Sequence, residues 1–508
     1  MLNLVANNFL FGSIEGLGTQ GPEDEFRTQT LRRFFGELRS VALRLVVKEY
    51  SEPFACHAPT WQRRISISAP SDRDRVPNAK LTNRQLIMNT TKFAATIGLD
   101  WADQKHDLWI HPADGSKAEH FQLEQTPEAL HQWVAKLRER FGNRPIALAL
   151  ETSRGPVISA LLAYDFIVLF PVNPKALKDY RAAFSVSGAK DDRTDAMLLE
   201  EFVRLHGDKL HALQPDTELT RKLAGLVQNR RHLIDERTRL VNQLHGTLKT
   251  YYPLAERLLG GVMNQPMAAE FLVRWPELGS LQKAQSQALR SFFYKHNSRS
   301  AKLIEERLQA VQQAKALTTD PAIIEPARWL VSALAAMLRP LHKAIAGLDK
   351  EIQQAMDQHP DAAIFRSFPG AGPALAPRLL VAFGTQRQRF ASAAEVAQFY
   401  GLAPVVQQSG NSKTVQMRYR CPKFGRQTFH ENAGCAIKQE PWTQCYYARH
   451  KDKHDNHHHL ACRALAFKLI RIYFACWRDR QNYDSARYLL ALEKNGSPLH
   501  ARLESLCE

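Results

Sequence analysis

The chain has 508 residues, 44% of them apolar, and carries 68 Lys and Arg against 51 Asp and Glu, a formal charge of +17. This length allows about three domains at roughly 150 residues each, and the apolar share excludes disorder of the whole chain. The cationic surplus asks for a polyanionic partner. Nucleic acid comes before an acidic membrane surface, because no run approaches the roughly 18 consecutive apolar residues of a membrane span and the N-terminus lacks a signal-peptide layout. Seven cysteines, an odd number with no CxxC pair, read as reduced thiols in a cytoplasmic protein.

Residues 1–87 combine a glycine-rich opening (Gly12, Gly16, Gly18, Gly21), one helix pattern from Thr28 to Lys48 and a polar Ser/Arg/Pro stretch from Arg63 to Asn78. They are expected to be an N-terminal extension, poorly ordered over much of its length. Met88 directly precedes the first dense strand pattern and is the expected start of the folded protein.

Residues 88–215 read as β-β-β-α-β-α-β. The strand signals are Phe93 to Asp100, His106 to His111, Glu119 to Leu123, Arg144 to Glu151 and Phe166 to Val172; the helices are Pro127 to Phe141 and Gly155 to Tyr164. A meander feeding crossover-connected strands predicts a mixed sheet with helices on its faces, the order of an α/β RNase H-like fold. Residues 216–360 are helical, and Leu219, Leu223, Leu226, Leu233, Leu240 and Leu244 recur at seam spacing, so a coiled-coil arm able to carry a dimer contact is expected. Residues 361–480 form a third, mainly α region, followed by a tail over 481–508. In it Phe368-Pro-Gly-Ala-Gly-Pro373 sits between helical patterns and resembles a helix-hairpin-helix, with the Gly370 and Gly372 amides turned to a phosphate. Of the +17, +9 lies between Asn411 and Arg480, where Lys413, Arg418, Arg420, Lys423 and Arg426 are the candidate nucleic-acid contacts.

Four carboxylates stand at telling positions. Asp100 closes the first strand, Glu151 closes the fourth, and Asp192 and Asp195 lie three apart at a helix start, on one face. In this fold the first and fourth strands are central neighbours, so the four acids are expected to meet. Converging acids repel unless cations sit between them, and hard oxygen donors suit Mg²⁺ or Mn²⁺, a pair of which can clamp a phosphoryl transfer. Asp103, Asp107 and Asp191 read as loop or surface acids. A serine before a glycine, Ser409-Gly410, lies in a turn-like segment ahead of the cations, with Ser412 equally eligible as a nucleophile. The run His454-Asp-Asn-His-His-His459 lacks a matching distant Cys/His pair and reads as a solvated patch near phosphate rather than a zinc site.

Ile97-Gly-Leu-Asp100, Ala149-Leu-Glu151, Asp192-Arg-Thr-Asp195, Phe368-Pro-Gly-Ala-Gly372, Gly401-Leu-Ala-Pro404 and Ser409-Gly410, in this order, resemble the DEDD transposases of a bacterial insertion-sequence family, RNA-guided serine recombinases that use a bridge RNA. The likeness covers roughly Met88 to Trp477. It implies a RuvC-like catalytic domain, a coiled-coil arm and a C-terminal domain supplying the serine. It further implies Mg²⁺ on Asp100, Glu151, Asp192 and Asp195, and attack by Ser409, rather than Ser412, on DNA to give a phosphoserine link. Donor and target DNA, a structured non-coding guide RNA and a tetramer built from dimers are the implied partners. The rival expectations are a RuvC-type junction nuclease using metal-activated water and a non-catalytic nucleic-acid-binding protein.

Overall fold

The computed structural model describes residues 93–152, 155–184, 191–410, 412–453 and 457–507. The expected extension over 1–87, the Met88 start and residues 454–456 of the histidine run lie outside them. The chain divides into two units: among the described residues, one is Gly401–Cys421 and the other is the remainder.

The larger unit opens with a five-stranded sheet. The strands β1 (Ala95–Asp100), β2 (Lys105–Pro112) and β3 (Glu119–Glu124) form the meander. Helix α1 (Pro127–Phe141) leads to β4 (Ile146–Leu150), α2 (Pro156–Leu161) leads to β5 (Ile167–Pro171), and α3 (Pro174–Phe184) and α4 (Asp192–His206) follow. The strand order is β3-β2-β1-β4-β5. The β1–β2 and β2–β3 pairs are antiparallel, and β1–β4 and β4–β5 parallel. This is the mixed sheet that the order of elements predicts, with β1 and β4 side by side at its centre.

Strand alternation sorts the two faces. Ile97, Leu99, Leu108, Ile110, Leu148 and Leu150 pack with Trp133 and Leu137 of α1 and Leu161 of α2. Ala147, Ala149 and Phe170 face the other way, onto Leu177 of α3 and Leu198, Leu199 and Val203 of α4. Each large side chain buried this way contributes about 1.5–3 kcal/mol. Both long helices have explicit starts. Thr126 accepts from the Ala129 amide ahead of Pro127, and Asp191 accepts from the Thr194 amide ahead of Asp192.

Next comes α5 (Glu218–Tyr251), then α6 (Pro253–Leu259), α7 (Pro266–Arg274), α8 (Leu278–Gln282), α9 (Ser286–Lys295), α10 (Ala301–Gln313) and α11 (Pro321–Gln358). Helices α5 and α11 run antiparallel: Thr220 Oγ1 meets His359 Nε2 at 3.0 Å near one end, Arg230 pairs with Asp349 further along, and Leu240 and Leu338 share a core at the other. Of the predicted seam, Leu223, Leu240 and Leu244 are buried and Leu219, Leu226 and Leu233 half-buried. The arm is more than a spacer, because the helices between its two long members close over a core of their own around Phe271, Trp275, Phe292 and Phe293. Helix α11 is long and apolar enough to cross a membrane by length and composition alone, yet Val331, Leu334 and Leu338 are buried in that core.

The unit ends in an α-helical region: α12 (Ala362–Arg366), α13 (Leu375–Phe383), α14 (Ala393–Phe399), α15 (Lys423–Ala436), α16 (Pro441–Lys453), α17 (His458–Asp479), α18 (Ser485–Lys494) and α19 (Pro498–Cys507). Helix α17 is its axis, with Leu465, Leu469, Tyr473 and Trp477 buried and the Trp477 indole donating to the Gly384 carbonyl at 2.7 Å. The last two helices fill the predicted tail, and the Trp442 indole donates to Tyr483 at 2.8 Å. The smaller unit is an antiparallel hairpin of β6 (Val405–Ser409) and β7 (Ser412–Gln416).

Candidate active site

Asp100 is the last residue of β1 and Glu151 the first after β4. The parallel register pairs Leu99 with Leu150, so Asp100 and Glu151 occupy the next positions of two adjacent strands. Alternation places both on the face that carries α4, because Ala149, two before Glu151, packs there, and Gly98, two before Asp100, touches α4 itself. A Cβ on Gly98 would lie 1.9 Å from the Ala196 carbonyl oxygen and 2.5 Å from the Glu200 amide nitrogen. Glycine is what lets the helix backbone rest on the strand.

The direction of α4 follows from its contacts. Thr96 Oγ1, near the start of β1, donates to Glu200 Oε1 at 2.5 Å, while Ala196 lies over Gly98. The helix thus runs against β1 and brings its N-terminal turn, with Asp192 and Asp195, to the strand end that carries Asp100. The four predicted acids therefore share one end and one face of the sheet. Asp100 and Glu151 are half-buried, Asp192 exposed and Asp195 2% exposed. They are not drawn into a ligating cluster: among the described residues no three His, Cys, Asp or Glu side chains are grouped to hold a metal ion. Asp195 is met by the Arg181 guanidinium of α3. The donors still fit a hard divalent cation, being carboxylate oxygens only, and such a cation would share Asp195 with Arg181 or displace that guanidinium from it.

Asp107 departs from its reading as a loop or surface acid. It lies in β2 directly across from Asp100, is 8% exposed, and accepts from His120 Nε2 at 2.7 Å. Asp191 is the cap of α4, and Asp103 is exposed between β1 and β2. Glu200 escapes sequence reasoning altogether. It is 1% exposed, bound by Thr96 and by Arg204 Nε at 3.0 Å, beneath the same helix. His106, fully buried, accepts from the Ala102 amide at 3.2 Å and meets Gln125 through its other nitrogen, fixing the turn that follows Asp100.

In the hairpin unit Ser409 is exposed at the end of β6, before Gly410 at φ 54°, and pairs across the ladder with Ser412, also exposed. Lys413 and Arg420 are exposed and Arg418 half-buried. In the larger unit Lys423 is the first residue of α15 and exposed, and Arg426 is half-buried in the same first turn.

The glycine loop corrects one expectation. Gly370, at φ 75°, donates its amide to Gln439 Oε1 at 2.7 Å, and a Cβ there would lie 2.5 Å from the Ala436 amide nitrogen. Pro369 offers its carbonyl to Asn432 at 2.9 Å, and Phe368 stacks on Tyr473 at 3.8 Å. This half of the loop is built into the helical core, so its amide is not presented to a phosphate. Gly372 is exposed, and its carbonyl accepts the Leu375 and Ala376 amides at 3.0 Å. The flanking helix α12 has five residues, shorter than a helix-hairpin-helix reading implies. Of the histidine run, His458 bonds Tyr447 at 2.9 Å and lies 3.6 Å from the Cys462 sulfur, and His459 lies 5.6 Å from His430, whose pKa is held below its usual value by burial.

Comparison with known proteins bears on both regions. A sequence profile of the DEDD transposase domain of the IS110 type matches residues 97–253, and a profile described as transposase IS116/IS110/IS902 family matches residues 362–448. A Streptomyces coelicolor protein named "Mini-circle putative transposase for IS117" is 28% identical over 401 residues, 77% of this chain and 95% of its own length. The insertion element IS110 uncharacterized 43.6 kDa protein of the same organism is 26% identical, over 78% of this chain and 98% of its own length. The insertion element IS900 uncharacterized 42 kDa protein of Mycobacterium paratuberculosis is 27% identical, over 60% and 76%.

Proposed function

We propose that this chain is an insertion-element transposase of the IS110/IS116 type, the family whose two profiles it matches, and that DNA is cut and rejoined by a carboxylate site at the sheet end acting with the hairpin serine. The observation that carries this is the register of β1 and β4, which sets Asp100 and Glu151 side by side on the face where α4 brings Asp192 and Asp195. Those four carboxylates would hold Mg²⁺ or Mn²⁺, which supplies Lewis-acid polarisation of a phosphodiester and neutralises its charge.

The chain's own residues do the rest. Ser409 Oγ attacks the phosphorus, the Oγ–P bond forms as one P–O bond to deoxyribose breaks, and the serine proton leaves with the departing sugar hydroxyl. The exposed tip of a two-strand ladder suits a nucleophile that must reach a DNA backbone. Lys413, Arg418, Arg420, Lys423 and Arg426 would neutralise phosphates. The proposal includes a structured guide RNA that chooses donor and target sites by base pairing, and a working tetramer of two dimers, both taken from the resemblance alone; the concentrated positive charge supports only a polyanionic partner.

The test is a cleavage reaction on DNA with guide RNA and Mg²⁺. Ser409→Ala should abolish the covalent protein–DNA adduct while nucleic-acid binding persists, and Asp100→Asn should abolish both adduct and Mg²⁺ dependence. An adduct of normal yield from Ser409→Ala removes the serine. Products with free ends and no attached protein point to metal-activated water instead. Binding without any cleavage in the wild-type protein leaves only a nucleic-acid-binding role.

A further inference from the structure

Arg193 stands in the first turn of α4, between Asp192 and Asp195, and is exposed. A cation at a helix N-terminus opposes the macrodipole. Among the described residues no carboxylate lies at ion-pairing distance from its guanidinium to offset this. Its partner is an aromatic face: the guanidinium carbon sits 5.7 Å from the ring centroid of Trp109. Trp109 lies on β2 across from Gly98, on the face that carries Asp100 and α4, and its ring lies 6.1 Å from that of His120.

Arg181 makes the contrast. It approaches the same acids from α3 and is taken up by Asp195, 2% exposed. Arg193 instead lies over an indole, a contact that biases where the guanidinium sits without consuming its N–H donors. A planar fork with open donors at the sheet end that carries the four carboxylates matches two oxygens of one phosphodiester. The site needs such a group, since four carboxylates repel a DNA backbone unless cations face it.

We infer that Arg193 is a catalytic residue that binds the non-bridging oxygens of the reacting DNA phosphate, and that Trp109 is the positioning residue that holds it. This rests on the transposase reading above. The test compares Arg193→Ala, Arg193→Lys, Trp109→Phe and Trp109→Leu with Asp100→Asn in the full protein–RNA complex. Two readouts are taken, Mn²⁺ binding by paramagnetic resonance and single-turnover DNA cleavage. Arg193→Ala should bind Mn²⁺ as the wild type does and cleave about 10²–10³-fold more slowly, with Arg193→Lys in between. Trp109→Leu should slow cleavage about tenfold and Trp109→Phe much less. Wild-type cleavage by Arg193→Ala, or loss of Mn²⁺ binding equal to that of Asp100→Asn, overturns the inference alone. Full cleavage by Asp100→Asn in EDTA overturns the metal reading, and Arg193 falls with it.

Discussion

An alanine methyl at position 98 would meet the Ala196 carbonyl oxygen at 1.9 Å and the Glu200 amide nitrogen at 2.5 Å, both backbone atoms that cannot turn aside. Helix α4 would have to lift, and with it Asp195. Gly98→Ala should therefore destabilise the sheet domain by about 1–3 kcal/mol or more, read by urea unfolding, and weaken Mn²⁺ binding in the same variant. A neutral outcome would mean that the helix is free to slide. The positions of the four acids are legible in the sequence: strand ends mark Asp100 and Glu151, and an i, i+3 spacing marks Asp192 and Asp195. Asp107 is not marked in this way, although period-two counting from Leu108 and Ile110 puts it on the Asp100 face. Its burial depends on His120, a partner on another strand, and pairings of that kind are invisible in a local pattern.

At the level of elements, the two glycines of the Phe368 to Pro373 loop should behave oppositely. Gly370→Ala faces both a left-handed φ of 75° and contact with α15 at 2.5 Å, and should cost about 2–3 kcal/mol in stability. Gly372 has nothing within 4 Å of a new Cβ, so Gly372→Ala should change stability by less than about 0.5 kcal/mol. Thermal unfolding of the pair checks this. The sequence showed a tight turn but not where its amide goes, because the acceptor, Gln439, is 69 residues away. The helical arm is legible in the sequence, but the core inside it is not, for a related reason. Residues 252–320 read as a succession of helix patterns with no motif to join them, and only the meeting of Phe271, Trp275, Phe292 and Phe293 in space makes them a core.

Across the larger unit, His342, His359 and His430 all have pKa values below the usual 6.5, with burial the leading cause in each. An unfolded chain protonates these rings near 6.5, whereas the folded one resists. Their contribution is fully present above that pH and is lost as pH falls below it. The melting temperature should thus decline on acidification from pH 6.5 to 5, before most carboxylates titrate, and replacing all three with Gln should flatten that decline.

The hairpin unit has a closed base. Gly401, at φ 67°, approaches Cys421 so closely that a Cβ would lie 2.5 Å from its sulfur, and the Arg418 carbonyl oxygen is 3.2 Å from the same point. The chain enters and leaves this segment through one narrow doorway, so the helices before and after it do not depend on its length for their spacing. The segment is in that sense a cartridge. Hairpins of other lengths and tip sequences could be exchanged between related chains, with the serine travelling with the insert and the carboxylates staying behind.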